Sequence, residues 1–406
     1  MLYSQNDLNM DLNIDLLKKV NNIVDNLKNE IKQEGDFEAL NIAFKDDDLK
    51  EIEDFSQYIR NNFKKVLVLG IGGSSLGAKT LLSVKKQNKV QILENIDSES
   101  VKDVFDSLDL NTTAIITISK SGKTIECISQ TLVLLKMYED KLGIDSIKNH
   151  FFFLTEDKDS SLTQLSKEFG IKTLKHHKTI GGRFSYLSNV ALIPACIAGL
   201  DIKSIREGAQ ETIHYLFNDT NNFIANIVAK QDAIYKNGVV ANIMMTYCEK
   251  LLCLTDWYRQ LWAESTGKNG FGIVPVPALG TVDQHSQLQM YMDGAKNLFF
   301  TFFLKEKDNN ALKITKSYNK EFDYLVGKNL DDIMEIEAQS TIEVLNSRRL
   351  PIRIIKLQDI NEKSVSQLMM QFILETIIIS KLNNINPFGQ PSVEERKQLS
   401  YKMYRK

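Results

Sequence analysis

The stretch Val66-Leu67-Val68-Leu69-Gly70-Ile71-Gly72-Gly73-Ser74-Ser75-Leu76-Gly77 decides the fold. Four apolar residues run without interruption into a glycine-rich turn, and an Ala- and Leu-bearing helical segment follows. A run apolar on both faces is a strand covered on both sides, as in a parallel sheet between helices. The turn frees backbone N–H groups at a helix N-terminus, a natural place for an anion. Two ligands meet that description. One is a dinucleotide, with Glu94 at the end of the next apolar run standing where a ribose-binding acid belongs. Counted from Gly70, however, Ser75 occupies a position where that fingerprint needs Gly or Ala. The other is a phosphate ester, and the motif alone leaves both open.

Outward from this stretch the same texture repeats. Residues 90–93, 114–118 and 151–154 are short continuous apolar runs with helical patterns between them, which makes βαβ units the economical assignment. A helical region over 201–236 precedes a second set of runs at 239–245, 298–304 and 352–357. Residues 1–60 read as charged amphipathic helices with Leu16, Val20, Ile23, Val24 and Leu27 on one stripe. Pro391 suits a first helical position and opens a terminal helix running to Lys406. The expectation is an α/β protein with two parallel-sheet domains at 56–200 and 201–385, a helical N-terminal extension over 1–55 and a C-terminal helical segment over 386–406.

With 50 basic against 52 acidic side chains and no basic tract, nucleic acid and anionic membranes are not expected partners. The Asn- and Asp-rich N-terminus lacks the pattern of a secretory signal. No apolar run is expected to span a bilayer; the nearest, 190–200, contains Pro194. Cys127, Cys196, Cys248 and Cys253 show no metal or redox spacing and read as small hydrophobes of a reducing cytoplasm. The pair His176–His177 has no third ligand placed near it, so no metal is expected, and His150 and His214 read as structural or solvated.

Two further stretches carry chemistry. Ser119-Lys120-Ser121-Gly122-Lys123-Thr124 follows the run 114–118. A nucleotide-binding P-loop would need Gly where Thr117 stands, so that reading fails. Hydroxyls on Ser119, Ser121 and Thr124, with N–H groups opening a helix, suit a sugar phosphate. A plain helix cap accounts for one hydroxyl but not three. In Trp262-Ala263-Glu264-Ser265-Thr266-Gly267-Lys268, apolar helical spacing from Leu251 onward ends at Gly267, the expected terminator. A carboxylate in the last turn faces the negative end of the helix dipole, which strengthens a carboxylate as a base. The plainer alternative pairs Glu264 with Lys268. Asp283 reads as a helix N-cap, which would set His285 in the first turn.

Five segments, in order, resemble the glucose-6-phosphate isomerase (phosphoglucose isomerase) family: Gly70-Ile71-Gly72-Gly73-Ser74, the Ser119–Thr124 loop, Gly181-Gly182-Arg183-Phe184-Ser185, the Glu264 and His285 region, and Asn386-Pro387-Phe388-Gly389-Gln390-Pro391-Ser392-Val393-Glu394 with Lys397. The resemblance implies two sugar-isomerase (SIS) domains and interconversion of glucose 6-phosphate and fructose 6-phosphate through an enediolate, with no cofactor. It implies that Gly72, Gly73, Ser74, Ser119, Ser121 and Thr124 hold the phosphate, with Lys120 acting through its backbone. Gln260 and Gln390 would contact substrate, Glu264 would be the carbon-proton base and Arg183 would stabilise the enediolate. His285 and Lys397 would open the sugar ring, His285 coming from the neighbouring subunit of a homodimer. Lys123 stands where the family commonly has Thr. Two rivals keep the scaffold: a dual-specificity enzyme also accepting mannose 6-phosphate, and a non-catalytic sugar-phosphate sensor. The sensor reading is opposed by the presence of Glu264, Arg183, His285 and Lys397 together.

Overall fold

A computed structural model describes residues 1–32, 35–219, 222–308 and 311–404. It contains β1 (Tyr3–Leu8), β2 (Lys65–Leu69), β3 (Val90–Leu93), β4 (Thr113–Ile118) and β5 (Phe151–Thr155). Beyond these come β6 (Lys172–Lys175), β7 (Ala241–Thr246), β8 (Val274–Leu279), β9 (Leu298–Lys305) and β10 (Ile352–Leu357). The chain forms two compact units, one of Asp25–His214 with Phe388–Lys406, the other of Met1–Val24 with Tyr215–Pro387.

The first, the parallel-sheet unit, has strand order β3-β2-β4-β5-β6 with every pair parallel. All six residues of β4 are buried, as expected of a central strand between helical layers. On one face Leu67, Ile115, Phe151 and Phe153 form a core with Leu134 and Tyr138 of the helix Ile125–Leu142. On the other, Phe55 of the helix Leu49–Asn62 meets Phe152 edge-on. The apolar stretch around Pro194 is the buried helix Asn189–Ile197.

The second, the mixed-sheet unit, has strand order β1-β10-β9-β7-β8. β10, β9, β7 and β8 are parallel and β1 is antiparallel to β10, with Tyr3 opposite Leu357 and Leu8 opposite Ile352. Phe300, Phe302 and Ile352 pack against Ala338, Ile342 and Leu345 of the helix Leu330–Ser347. The other face receives Tyr258 of the helix Leu252–Thr266 and Phe372 of the helix Glu362–Leu382. By length and composition Glu362–Leu382 matches a membrane span, but it is a core helix whose residues 364–380 are all buried. Gln367, Gln371 and Glu375 interrupt its apolar run, which is why the sequence shows no long span. Glu375 pairs with Arg353 through two hydrogen bonds of 2.6 and 2.9 Å, both side chains fully buried.

The first sixty residues depart from the all-helical expectation because β1 occupies 3–8. Its sequence, Tyr-Ser-Gln-Asn-Asp-Leu, lacks apolar alternation because polar contacts hold it: Gln5 accepts from Arg353 and Lys230 donates to Asp7 at 2.7 Å. β6 and β8 are the other strands absent from the sequence reading. β6 is a polar edge strand burying only Leu174, and β8 carries Pro275 and Pro277, tolerated because it too is an edge.

Candidate active site

In the parallel-sheet unit β2 pairs with β3 on one side and β4 on the other. The connections after β2 and β4 therefore leave in opposite directions and open a crevice at their C-terminal ends, the usual ligand position in such sheets. The two stretches singled out as phosphate loops, Gly70–Ser75 and Ser119–Thr124, are those connections. Gly72 has φ +59° and begins a short 3-10 turn, Gly72–Ser74. A Cβ on Gly73 would overlap the backbone of Gly182, and one on Gly182 would meet the Gly73 Cα at 3.1 Å. Both glycines are thus needed for two backbones to touch, and the contact fixes Arg183 beside the β2 turn. Ser185 locks it by donating to Gly182 O (2.7 Å) and Gly73 O (3.1 Å), a role no sequence signal announced. Glu94, the acid of the dinucleotide reading, accepts from Ser75 (2.5 Å) and Lys79 (2.6 Å). Ser75 at the fingerprint's last position therefore has an internal partner.

In the second loop Gly122 has φ +64°, and a Cβ there would strike Ser160 Oγ and stand 2.9 Å from Thr155 Oγ1. Ser119 is buried and shares a 2.8 Å hydrogen bond with Thr124. Thr124 is the N-cap of Ile125–Leu142 but makes no side-chain capping bond, and Ser121 Oγ accepts from Lys123 N (3.2 Å), outside the helix. None of the three hydroxyls accepts from an N–H of the helix. The Lys120 ammonium donates to Ile180 O (3.0 Å) and lies 3.7 Å from Glu156, its pKa lowered chiefly by burial.

Arg183 is buried, with its guanidinium over the Phe184 ring, and donates to Gln390 Oε1 (3.2 Å) and Gly389 O (3.1 Å). The structure so brings together two residues the sequence separates by 207 positions. Phe388 seals the join against Phe184 and Phe37. Lys397, on the helix Pro391–Tyr404, pairs with Glu394 at 2.6 Å.

In the mixed-sheet unit the helix Leu252–Thr266 ends at Gly267, whose N–H reaches Ala263 O at 3.0 Å. Gln260 Nε2 donates to Glu264 Oε1 at 2.9 Å, one turn apart on one face. Gln260 Oε1 is buried without a partner among the described residues. The Lys268 ammonium donates to Asn386 O at 2.6 Å. Asp283 is not the N-cap expected: it closes the short helix Gly280–Asp283, and its carboxylate reaches back to Leu279 N at 2.6 Å. His285 consequently sits exposed in the turn before the helix Leu288–Asp293. The helix bearing Glu264 runs back against the strands and leads to the start of β8, whereas His285 follows its end. A six-residue strand spans on the order of 15–20 Å, so the two side chains of one chain lie at opposite ends of the sheet.

His176 Nδ1 lies 2.7 Å from His177 O, and burial lowers the His176 pKa to about 4. Among the described residues no group of three or more His, Cys, Asp or Glu side chains is placed to hold a metal ion.

Two helix-flanked sheets, one with a glycine-rich and a serine-rich loop at its switch point, are the arrangement of an α/β protein of the sugar-isomerase type. Residues 50–406 match the family described as phosphoglucose isomerase. The "Probable glucose-6-phosphate isomerase" of Methanococcus maripaludis is 32% identical over 392 residues, covering 93% of this chain and 86% of the relative. The glucose-6-phosphate isomerase of Campylobacter jejuni is 33% identical over 360 residues, 86% of each. The solved glucose-6-phosphate isomerase of Chlamydia trachomatis superposes with a TM-score of 0.82 at 18% identity, over 99% of this chain and 88% of that one, a likeness of fold. The chain belongs to the phosphoglucose isomerase family.

Proposed function

We propose that the protein is an aldose–ketose isomerase interconverting glucose 6-phosphate and fructose 6-phosphate in the cytoplasm, with no metal or nucleotide. The observation that carries this reading is the loop after β4, where three hydroxyls flank the N-terminus of an 18-residue helix without capping it. A dianionic phosphate there meets hydroxyl donors, N–H groups and the positive helix end. The turn Gly72–Gly73–Ser74 completes the phosphate seat, and Lys120 serves through its backbone, its ammonium being turned to Ile180. Functionally the chain divides at 1–55, 56–200, 201–385 and 386–406, phosphate binding falling to the second segment and the base and histidine to the third.

His285 and Lys397 exchange protons with the ring oxygen and O1 to open the sugar. Glu264 then takes the C2 proton, leaving an enediolate, and returns it to C1 while a hydroxyl proton passes from O2 to O1. Gln260 steadies the Glu264 carboxylate, and its unpartnered oxygen suits a sugar hydroxyl. Arg183, held by Gln390, neutralises the developing oxyanion.

Glu264 and His285 at opposite ends of one sheet cannot serve one sugar, which supports a homodimer whose sites combine Glu264 of one chain with His285 of the other. The turn carrying His285 is flanked by exposed Val282 (59%) and Met290 (64%), and the same unit exposes Leu312, Tyr318 and Tyr324. Val282 and Met290, apolar and beside His285, are side chains a second chain would cover. The test is conversion of glucose 6-phosphate to fructose 6-phosphate by the purified protein in excess chelator. Turnover supports the proposal; binding of 6-phosphogluconate without turnover would make the protein a sensor.

A further inference from the structure

The Tyr401 hydroxyl donates to the carbonyl of Lys123 at 2.7 Å, tying the C-terminal helix to the loop after β4. The same peptide carries a second tie, since Lys123 N donates to Ser121 Oγ at 3.2 Å. Glu394, Lys397 and Tyr401 stand at i, i+3 and i+7 and share one helix face, with Lys397 one turn before the tyrosine. The helix Pro391–Tyr404 buries none of its residues, so little apolar packing fixes its position. Individual polar contacts then carry unusual weight in setting where Lys397 lies. Position 123 contributes through its backbone N–H and C=O, which any residue except proline supplies. Its lysine side chain is exposed.

We propose that Tyr401 is a positioning residue: its hydroxyl holds the C-terminal helix on the Lys123 carbonyl and so couples the phosphate loop to Lys397. This rests on the proposed roles of the loop and of Lys397. A phosphate gripped by Ser121 fixes the Lys123 peptide, the peptide fixes Tyr401, and the helix turn fixes Lys397.

The test uses the full chain as Tyr401→Phe, Lys397→Ala and the double variant, each with kcat and KM for fructose 6-phosphate, the inhibition constant of inorganic phosphate, and the rate of tryptic cleavage around Arg396 and Lys402. Loss of one hydrogen bond predicts a fall in kcat of about fivefold in Tyr401→Phe, with phosphate inhibition weakened by the factor through which phosphate protects the wild-type helix. Adding Tyr401→Phe to Lys397→Ala should cost almost nothing more, because the tyrosine acts through the lysine. Inorganic phosphate should slow cleavage of the wild-type helix and leave the Tyr401→Phe helix unprotected. Unchanged kcat in Tyr401→Phe, or independent multiplying losses in the double variant, overturns the proposal. Full activity of Lys397→Ala refutes the ring-opening role instead. The tie is then judged by cleavage alone, and equal phosphate protection in both proteins overturns it.

Discussion

Mixing two inactive variants tests the shared site. In the proposed homodimer Glu264→Gln removes the proposed base and His285→Ala the proposed ring-opening imidazole, and each variant alone should be nearly inactive. The structural premise is that β8 separates the two residues of one chain by on the order of 15–20 Å, more than one hexose phosphate offers between its reacting atoms. With equal amounts and random re-pairing, half the dimers are hybrids. Each hybrid has one site with both residues intact and one with both missing. Activity should therefore recover to about a quarter of wild type. The assay follows coupled oxidation of glucose 6-phosphate formed from fructose 6-phosphate, after exchange promoted by mild denaturant and verified by mass spectrometry of differently tagged chains. Verified exchange without recovered activity would place both residues in one chain's site and rule out a shared one.

Three further outcomes follow from particular contacts. Replacing Ser119, Ser121 and Thr124 together by Ala should weaken 6-phosphogluconate binding by a few kcal/mol, because hydrogen bonds to charged groups are worth about 1.5–3 kcal/mol each and do not add fully; calorimetry checks it. Arg353→Met leaves the buried Glu375 charge uncompensated and should cost about 3–5 kcal/mol in denaturant unfolding, most of it regained by adding Glu375→Leu. Burial keeps the His176 imidazole neutral in the fold, with its pKa lowered from 6.5 to about 4. The unfolded chain then binds the proton first, so stability present above pH 6.5 is lost as pH falls toward 4. The loss amounts to at most about 3 kcal/mol. His176→Gln should lack that part of the pH dependence, measured as the difference in unfolding free energy between the two proteins.

What the sequence disclosed follows from what each residue's neighbours demand. β2, β4, β5, β9 and β10 are buried between layers, so their runs are continuously apolar and easily read. β1, β6 and β8 are edges, and an edge needs neither apolar alternation nor every N–H; Gln5, Lys172 and Pro275 are compatible with it and silent in the sequence. Gly267 was legible as a terminator because it acts locally, on the Ala263 carbonyl four residues back. Asp283 was misread because a carboxylate near a helix end can cap forward or reach back, and only the position of Gly280 decides which. Glu94 looked like a ligand for ribose because its partners Ser75 and Lys79 lie 19 and 15 residues away. The Arg183–Gln390 and Tyr401–Lys123 contacts depend on chain reversals that no local pattern encodes.

Glu264, on the last turn of Leu252–Thr266, is the group proposed to move the proton between C2 and C1. The most direct measurement compares wild type with Glu264→Gln for fructose 6-phosphate turnover and for binding of 6-phosphogluconate in the same preparation. Removal of a general base costs roughly 10²–10⁴-fold, so turnover should fall by at least that lower figure while the analogue still binds. A variant that keeps more than about a tenth of wild-type turnover, well above that estimate, would remove Glu264 from the role of base.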